Sequence, residues 1–338
     1  MAFICYYAQM NKLSDSFGRQ ITYLRLSVTD RCDFRCVYCM AEDMTFVPRK
    51  DVLSFEELAL VAQAFVELGV EKIRLTGGEP LVRRDILHAV NSIAAIEGLR
   101  EFCLSTNASK LRQYANELKH AGIHRVNISL DSLKPERFKS LTRTGDVEKV
   151  IDGIDAAVEA GFNGIKINAV ILRGRNDDEI LDLVDFARQR SIDISFIEEM
   201  PLGSIVEHDR ALSFMPSAEI RDLIESRYPL VASDESTGGP SRYFTMPDSS
   251  SRVGFISPHS NNFCGECNRV RVTAEGKLLL CLGNEDAVDL RHIVRQYDDP
   301  LPELKRAIVD AMTLKPEKHH FDLDAPVDIV RFMNATGG

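Results

Sequence analysis

Two periods of hydrophobic and polar positions take turns along the first two thirds of the chain. Tyr23–Val28 alternates with period two, as a strand does. From Ser54 the period lengthens: Phe55, Leu58, Val61, Ala62, Phe65 and Leu68 share one helical face. Ser54 and Glu57 have capping-box spacing, Leu53 and Leu58 can staple the entry, and Gly69 supplies the stop. Short apolar runs then recur at Lys72–Leu75, Glu101–Ser105, Arg125–Leu130, Ile165–Leu172 and Ile192–Ile197. Helical patterns separate them, near Asp85–Ile96, Leu111–His120 and Val147–Ala160, and from a cap at Asn176 and Glu179 to about Arg190.

Six strands alternating with helices predict stacked βαβ units and a parallel sheet with right-handed crossovers. The fold class is α/β, and six units suit a partial (β/α)6 TIM-type barrel better than a closed eightfold one. In such folds the working face lies where strands end. After about residue 215 the alternation stops. A capped helix at Ser217–Arg227 precedes a Gly/Ser/Pro-rich stretch, Ser233–Ser251, that reads as loop or irregular sheet; a basic segment Asn268–Val272, a turn at Glu275-Gly276-Lys277 and a short apolar run follow, and the chain after Cys281 is helical and polar. The expected division is an N-terminal extension over 1–18, the barrel over 19–215 and a C-terminal domain over 216–338 closing the barrel mouth.

Composition narrows the class. The chain has 338 residues, 44% of them hydrophobic and 27% charged, as in a soluble globular protein. No apolar run approaches the ~20 residues that span a bilayer, so no membrane partner is expected. Met1–Ala8 reads as a loose N-terminus, not a signal peptide. A net charge of −10 argues against a nonspecific nucleic-acid binder but leaves room for a local basic pocket.

The cysteines change the picture. Six of the eight fall in two groups, Cys32/Cys36/Cys39 and Cys264/Cys267/Cys281, while Cys5 and Cys103 stand alone. Such grouping in a cytoplasmic protein points to metal or redox chemistry rather than disulfides. The CxxxCxxC of the first group follows a strand directly. Structural zinc and ordinary iron–sulfur ligation both use four protein ligands. Three cysteines could hold three irons of a cubane and leave the fourth open. Zinc with a borrowed ligand is the alternative. The second triplet admits the same pair of readings, with His259 close enough in sequence to complete a zinc site.

Other residues gather around these groups. Gly77-Gly78-Glu79-Pro80 follows a strand, either as a tight turn or as an edge where backbone approaches a ligand closely. The segments Ser105–Asn107, Ser129–Asp131 and Glu198–Met200 lie at the same strand ends. Arg25, Arg74 and Lys166 interrupt apolar strand runs, and Arg269 and Arg271 share one side of a strand. Buried cations need partners. Several in an acidic protein point to an anionic substrate such as a nucleotide. Cys103 reads as core packing. His88, His120, His124, His208 and His292 read as surface or helix-end residues, and His319 and His320 as structural.

CxxxCxxC with Tyr38 before the last cysteine, followed by Gly-Gly-Glu-Pro, resembles the radical S-adenosylmethionine (SAM) superfamily. Further motifs run along most of the chain: Tyr23–Cys32, Arg74–Pro80, the second triplet, Lys315-Pro316-x-x-His319-x-Phe321 and the terminal Gly337-Gly338. Together they resemble the GTP 3′,8-cyclases of molybdenum cofactor biosynthesis. The resemblance implies that Cys32, Cys36 and Cys39 hold a 4Fe–4S cluster whose open iron chelates SAM. It implies a second 4Fe–4S cluster on Cys264, Cys267 and Cys281, facing guanine. Tyr38, Gly78, Ser129 and Met200 match SAM contacts. Arg25, Arg74, Ser105, Lys166, Arg269 and Arg271 match GTP contacts, and Arg25, Arg269 and Arg271 are the catalytic candidates. The implied reaction starts with a 5′-deoxyadenosyl radical, which takes hydrogen from ribose C3′ of GTP; C3′ then adds to guanine C8. The implied partners are GTP, an external electron donor and a downstream cyclic pyranopterin monophosphate synthase, with the chain a monomer or homodimer in the cytoplasm. Three positions depart from the family pattern: Ser105 and Ala108 where Thr and Gly are usual, and Asp33 where Asn is common.

Overall fold

The computed structural model describes residues 12–323 and 328–337. The expected loose N-terminus at Met1–Ala8, Cys5 and Gly338 lie outside the described residues. The six predicted strands are β1 (Tyr23–Ser27), β2 (Lys72–Thr76), β3 (Glu101–Thr106), β4 (Arg125–Ser129), β5 (Gly164–Val170) and β6 (Asp193–Ile197). They pair in sequence order, all parallel. Between them run α1 (Phe55–Glu67), α2 (Ile86–Ala94), α3 (Leu111–His120), α4 (Pro135–Thr142), α5 (Val147–Glu159) and α6 (Ile180–Gln189). The sheet is open, so the six βα units form a partial barrel of the TIM type.

Strand parity decides what each face does. Leu24, Leu26, Ile73, Leu75, Phe102, Leu104, Val126, Ile128, Ile167, Ile194 and Phe196 are almost completely buried in the apolar core beneath the helices. On α1 the same core takes Leu58, Val61, Ala62 and Phe65, each 0% exposed. Burying a large aliphatic or aromatic side chain contributes about 1.5–3 kcal/mol. The opposite parity is polar. In register across the sheet stand Arg271, Arg25, Arg74, Cys103 and Arg125. A second row is Ser105, Asn127, Lys166 and Asp193. The inner face of this barrel is therefore built for a charged ligand rather than filled with aliphatic layers.

The chain after the barrel strands does not form a sheet of its own. A short helix α7 (Arg210–Ser213) and α8 (Ser217–Glu225) precede β7 (Val231–Ala232), β8 (Arg242–Met246) and β9 (Ser249–Ile256). β9 joins β6 in parallel and continues the sheet through β8 and β7. β10 (Arg269–Val272) joins the other edge, parallel to β1, and is followed by β11 (Lys277–Leu279) and β12 (Ala287–Asp289). The Gly/Ser/Pro-rich stretch thus contributes β8 and the start of β9, a hairpin whose register shifts at Thr245/Met246, as the irregular-sheet reading expects. Then come α9 (Leu290–Gln296), α10 (Pro300–Met312), which packs on α1, and a last turn α11 (Met333–Thr336).

Ser54 and Glu57 form the expected capping box. Two other expected caps are absent, because the side chains are used elsewhere. Asn176 accepts from the Leu172 amide and donates to the Asp131 and Val170 carbonyls. Glu179 accepts from Ser132 Oγ, the Leu133 amide and Arg137. Both brace neighbouring strand ends instead of opening α6. Ser217 likewise makes no side-chain cap of α8; its amide is held by Glu198 at 2.9 Å. Helix α4 has no counterpart in the predicted elements. Pro135 starts it, and only Phe138, Leu141 and Thr142 are buried, too short a pattern to stand out.

Candidate active site

The first triplet lies on the loop after β1. Cys32, Cys36 and Cys39 all line one cavity of about 1150 Å³, partly buried and with no disulfide. Burial pushes all three thiols up, Cys39 to about 12. Neighbouring thiolates add to the effect at Cys32 and Cys36. Only cations can hold such a set deprotonated, which suits the irons of a cluster.

The loop is clamped from two sides. Gly78 N–H donates to the Thr29 carbonyl at 2.7 Å and Glu79 N–H to the Arg31 carbonyl at 2.8 Å. A Cβ on Gly78 would stand 2.4 Å from the Arg31 oxygen, and one on Gly77 2.6 Å from the Thr29 oxygen. The glycines of Gly-Gly-Glu-Pro thus let β2 approach the cysteine loop, while both line the cavity. Glu79 is fully buried; it accepts from the Leu81 and Asn107 amides and from Thr106 Oγ1. Burial nonetheless pushes its carboxyl up to about 7. Asp33 accepts from Asn107 Nδ2 at 2.8 Å and Ser109 Oγ at 2.6 Å, tying the loop to the end of β3. Ala108 adopts φ 61°, the left-handed conformation that favours glycine. Gly153 leaves room beside it: a Cβ there would stand 2.5 Å from the Ala108 oxygen.

Tyr38, Gly78, Ser129 and Met200 all line this first cavity. Tyr38 Oη donates to Asp131 Oδ2 at 2.7 Å, and Val170 N–H holds Asp131 Oδ1 at 2.8 Å. Burial raises the Asp131 carboxyl to about 6. Ser105 lines the same cavity, on the side of the first cysteines rather than among the arginines.

The second triplet flanks β10 and β11 and opens on a cavity of about 1200 Å³. Arg25, Arg74, Lys166, Arg269 and Arg271 all line it, with two further cations, Lys72 and Arg125. Those two occupy the inward parity of the first residues of β2 and β4, so alternation alone would have found them. Tyr23 Oη accepts from Arg74 Nε at 2.7 Å and from Arg25 at 3.5 Å. Burial raises the phenol, but the charges of Arg74 and Arg25 outweigh it and bring it down to about 8. Burial lowers Arg25 to about 10 and also lowers Arg271 and Lys166. An anion here would relieve the crowded positive charge. At Cys267 burial acts upward, yet Arg269 and Lys315 bring the thiol below its ordinary value.

Asn168, Ile197, Met200 and Met333 belong to both cavities, so the two cysteine triplets face a common space. Asn168 Oδ1 is buried there without a partner. The C-terminal tail threads the junction. Met333 N–H donates to the Cys39 carbonyl at 3.1 Å and Asn334 Nδ2 to the Asp30 carbonyl at 2.9 Å. Gly337 brings its carbonyl to Arg25 and Arg271.

The histidines divide. His88, His120 and His292 are exposed. His208 is not a surface residue: its side chain is 4% exposed and bonds Glu199 Oε2 at 2.7 Å, beside Arg210. Loop residues Leu202 and Gly203 give Arg210 its other acceptors. His259 bonds the Glu199 carbonyl through Nε2 and packs edge-on to Phe214, which commits that nitrogen away from the thiols. His319 stacks on Phe321 at 4.2 Å, and both rings line the second cavity.

Residues 26–187 match the Radical SAM superfamily, and residues 192–321 match Molybdenum Cofactor Synthesis C. The GTP 3′,8-cyclase of Marinobacter nauticus is 61% identical over 97% of this chain and 99% of its own length. The chain belongs to the GTP 3′,8-cyclase family. The cyclase of Saccharophagus degradans is 56% identical over 98% of this chain and all of its own. GTP 3′,8-cyclase 2 of Pseudomonas aeruginosa is 58% identical over 97% and 99%. In fold, the cyclase chain is similar to the crystal structure of Streptococcus suis SuiB bound to S-adenosylmethionine. The TM-score is 0.58 at 18% identity, covering 83% of this chain and 66% of that one.

Proposed function

We propose that this chain is the radical SAM GTP 3′,8-cyclase of the first step of molybdenum cofactor biosynthesis. The observation that carries the reading is the shared wall of the two cavities. One is lined by a CxxxCxxC loop, the other by a second triplet and seven cations. Two 4Fe–4S clusters and SAM are the cofactors, and the enzyme is a lyase-type cyclase.

Cys32, Cys36 and Cys39 would hold the first cluster, with Tyr38, Gly78, Ser129 and Met200 around SAM. Cys264, Cys267 and Cys281 would hold the second. With both clusters and SAM bound, the site would supply radical chemistry at ribose C3′ that ends in a C3′–C8 bond, one electron from the external donor opening SAM and a second electron with a proton closing the radical left on guanine. The protein positions the reactants and excludes water. Arg25, Arg74, Lys166, Arg269 and Arg271 hold the triphosphate by charge-assisted hydrogen bonds, with Lys72 and Arg125 on the same face. Arg269 and Arg271 lie on β10, Arg25 stands in register with Arg271 on β1, and these three are the catalytic candidates. Ser105 serves from the first cavity, where the ribose would span the junction. Residues 19–215 carry the SAM half of the site and 216–338 the second cluster.

No helix among the described residues is long and apolar enough to cross a membrane. A cytoplasmic location, an external electron donor, delivery of the product to a cyclic pyranopterin monophosphate synthase and a monomeric or homodimeric state complete the reading.

The test is anaerobic incubation of reconstituted protein with GTP, SAM and a reductant. Release of 5′-deoxyadenosine with cyclised GTP is expected; the absence of both products would sink the proposal. Cys264→Ala should abolish cyclisation yet leave uncoupled SAM cleavage, with about four of about eight irons lost.

A further inference from the structure

The segment Lys315–Phe321 is bound to the second triplet by two buried cations. Lys315 is 3% exposed. An ammonium has three donors and must find three acceptors when buried. Two are carbonyls: Leu280, one residue before Cys281, and Arg269 at 3.0 Å, two residues after Cys267. The third acceptor is sulfur, Cys267 Sγ at 3.8 Å. Arg19, 9% exposed, completes the clamp. It donates to the Cys264 carbonyl at 2.8 Å and to the Pro316 and Glu317 carbonyls, while Asp15 balances its charge at 2.6 Å. Each cysteine of the triplet is thus tied, directly or through its chain neighbour, to one of these two cations.

We infer that Lys315 is a positioning residue of the second cluster, holding the Cys267 and Cys281 ends together and setting the cluster's potential through its charge beside the Cys267 sulfur. The inference rests on the proposed function, because it takes the second triplet as a cluster site. Hydrogen bonds to the sulfurs and nearby charge are general determinants of iron–sulfur potentials. A fixed cation favours the reduced, more negative state, so its removal lowers the potential. Arg19 touches the Asp15 carboxylate and backbone carbonyls, and clamps without a hydrogen bond to a sulfur.

The experiment compares Lys315→Met and Lys315→Arg with the wild-type holoenzyme. Iron per chain is measured first. Potentiometric titration followed by electron paramagnetic resonance comes next, the second cluster's signal being the one altered by added GTP. If Lys315→Met keeps its iron, its second-cluster potential should fall while that of Lys315→Arg stays near wild type; an unchanged potential in Lys315→Met overturns the inference. If Lys315→Met loses about half its iron, Lys315→Arg should retain it at the wild-type potential. Loss in both variants overturns the role of charge. Wild-type protein with no GTP-responsive cluster signal would instead defeat the proposed function itself, so the two failures are distinguishable.

Discussion

Arg271 donates to the carbonyl oxygen of Gly337 at 2.6 Å, and Arg25 donates to the same oxygen at 3.2 and 3.3 Å. The penultimate residue of the chain thus reaches the two arginines proposed to hold the substrate triphosphate. The approach needs glycine. Gly337 has φ 75°, and a Cβ there would meet Thr76 Oγ1 at 2.1 Å and Thr76 Cβ at 3.0 Å.

Gly337→Val should therefore displace the tail without touching either cysteine triplet. Misplacing a positioning group by about 1 Å can cost about 100-fold in rate, and cyclisation is expected to fall by that order. Iron content should remain at the wild-type value. Wild-type turnover of GTP by this variant would show that the tail does not occupy this position during the reaction.

Gly78→Ala acts on the first triplet. Its Cβ would stand 2.4 Å from the Arg31 oxygen and 2.6 Å from both the Arg31 carbonyl carbon and the Asp30 oxygen. All three are backbone atoms of the segment entering Cys32, so no side-chain rotation relieves the contact. The cysteine loop must move away from β2. Iron analysis should find the first cluster depleted while the second remains, and SAM cleavage should fall with it. Full iron loading with normal cleavage would contradict the clamp.

Much of this arrangement was legible in the sequence. The six βα units, the capping box at Ser54 and the two cysteine groups all leave local signatures of period, spacing or turn chemistry. The inward cations Arg25, Arg74 and Lys166 announce themselves by interrupting apolar runs. What was not legible depends on tertiary partners. Asn176 and Glu179 have the spacing of a helix cap, but each is fully buried and braces a neighbouring strand end. His208 lacks metal spacing and reads as exposed, yet Glu199 from the end of β6 pulls it inward. The hairpin β8–β9, which extends the β6 edge of the sheet, draws on the Gly/Ser/Pro-rich stretch, where composition argues for loop and only pairing with β6 and with each other orders the chain.

Asn176→Ala separates these two readings of the same residue. As a cap it would matter only to α6. As a brace it supplies three hydrogen bonds, one to the chain at Asp131 and two closing the end of β5. Their loss leaves buried groups unpaired and should destabilise the fold by about 2–4 kcal/mol, at roughly 1 kcal/mol per bond with a further cost for unsatisfied partners. Because Asp131 holds Tyr38, the KM for SAM in the cleavage assay should rise while iron content holds. A change in stability below about 0.5 kcal/mol, the range of ordinary surface substitutions, would rule out the brace.

Tyr23 gives the site a pH signature. Its phenol is buried, which by itself raises the pKa, but Arg74 and Arg25 prevail and bring it from 10.0 to about 8. The native state therefore releases this proton before the unfolded state does. Between these two values the unfolded chain binds more protons, so stability rises with pH through that window. The contribution is complete above the unfolded pKa and is lost as pH falls through about 8. Denaturation of wild type and Tyr23→Phe across this range should show the wild-type advantage growing with pH, with a tyrosinate absorbance change near pH 8 missing from the variant. Bound GTP would draw the same two arginines toward its phosphates and leave less positive charge for the phenolate. Saturating GTP should then move the absorbance midpoint upward. A midpoint indifferent to GTP would mean that the triphosphate does not engage Arg25 and Arg74.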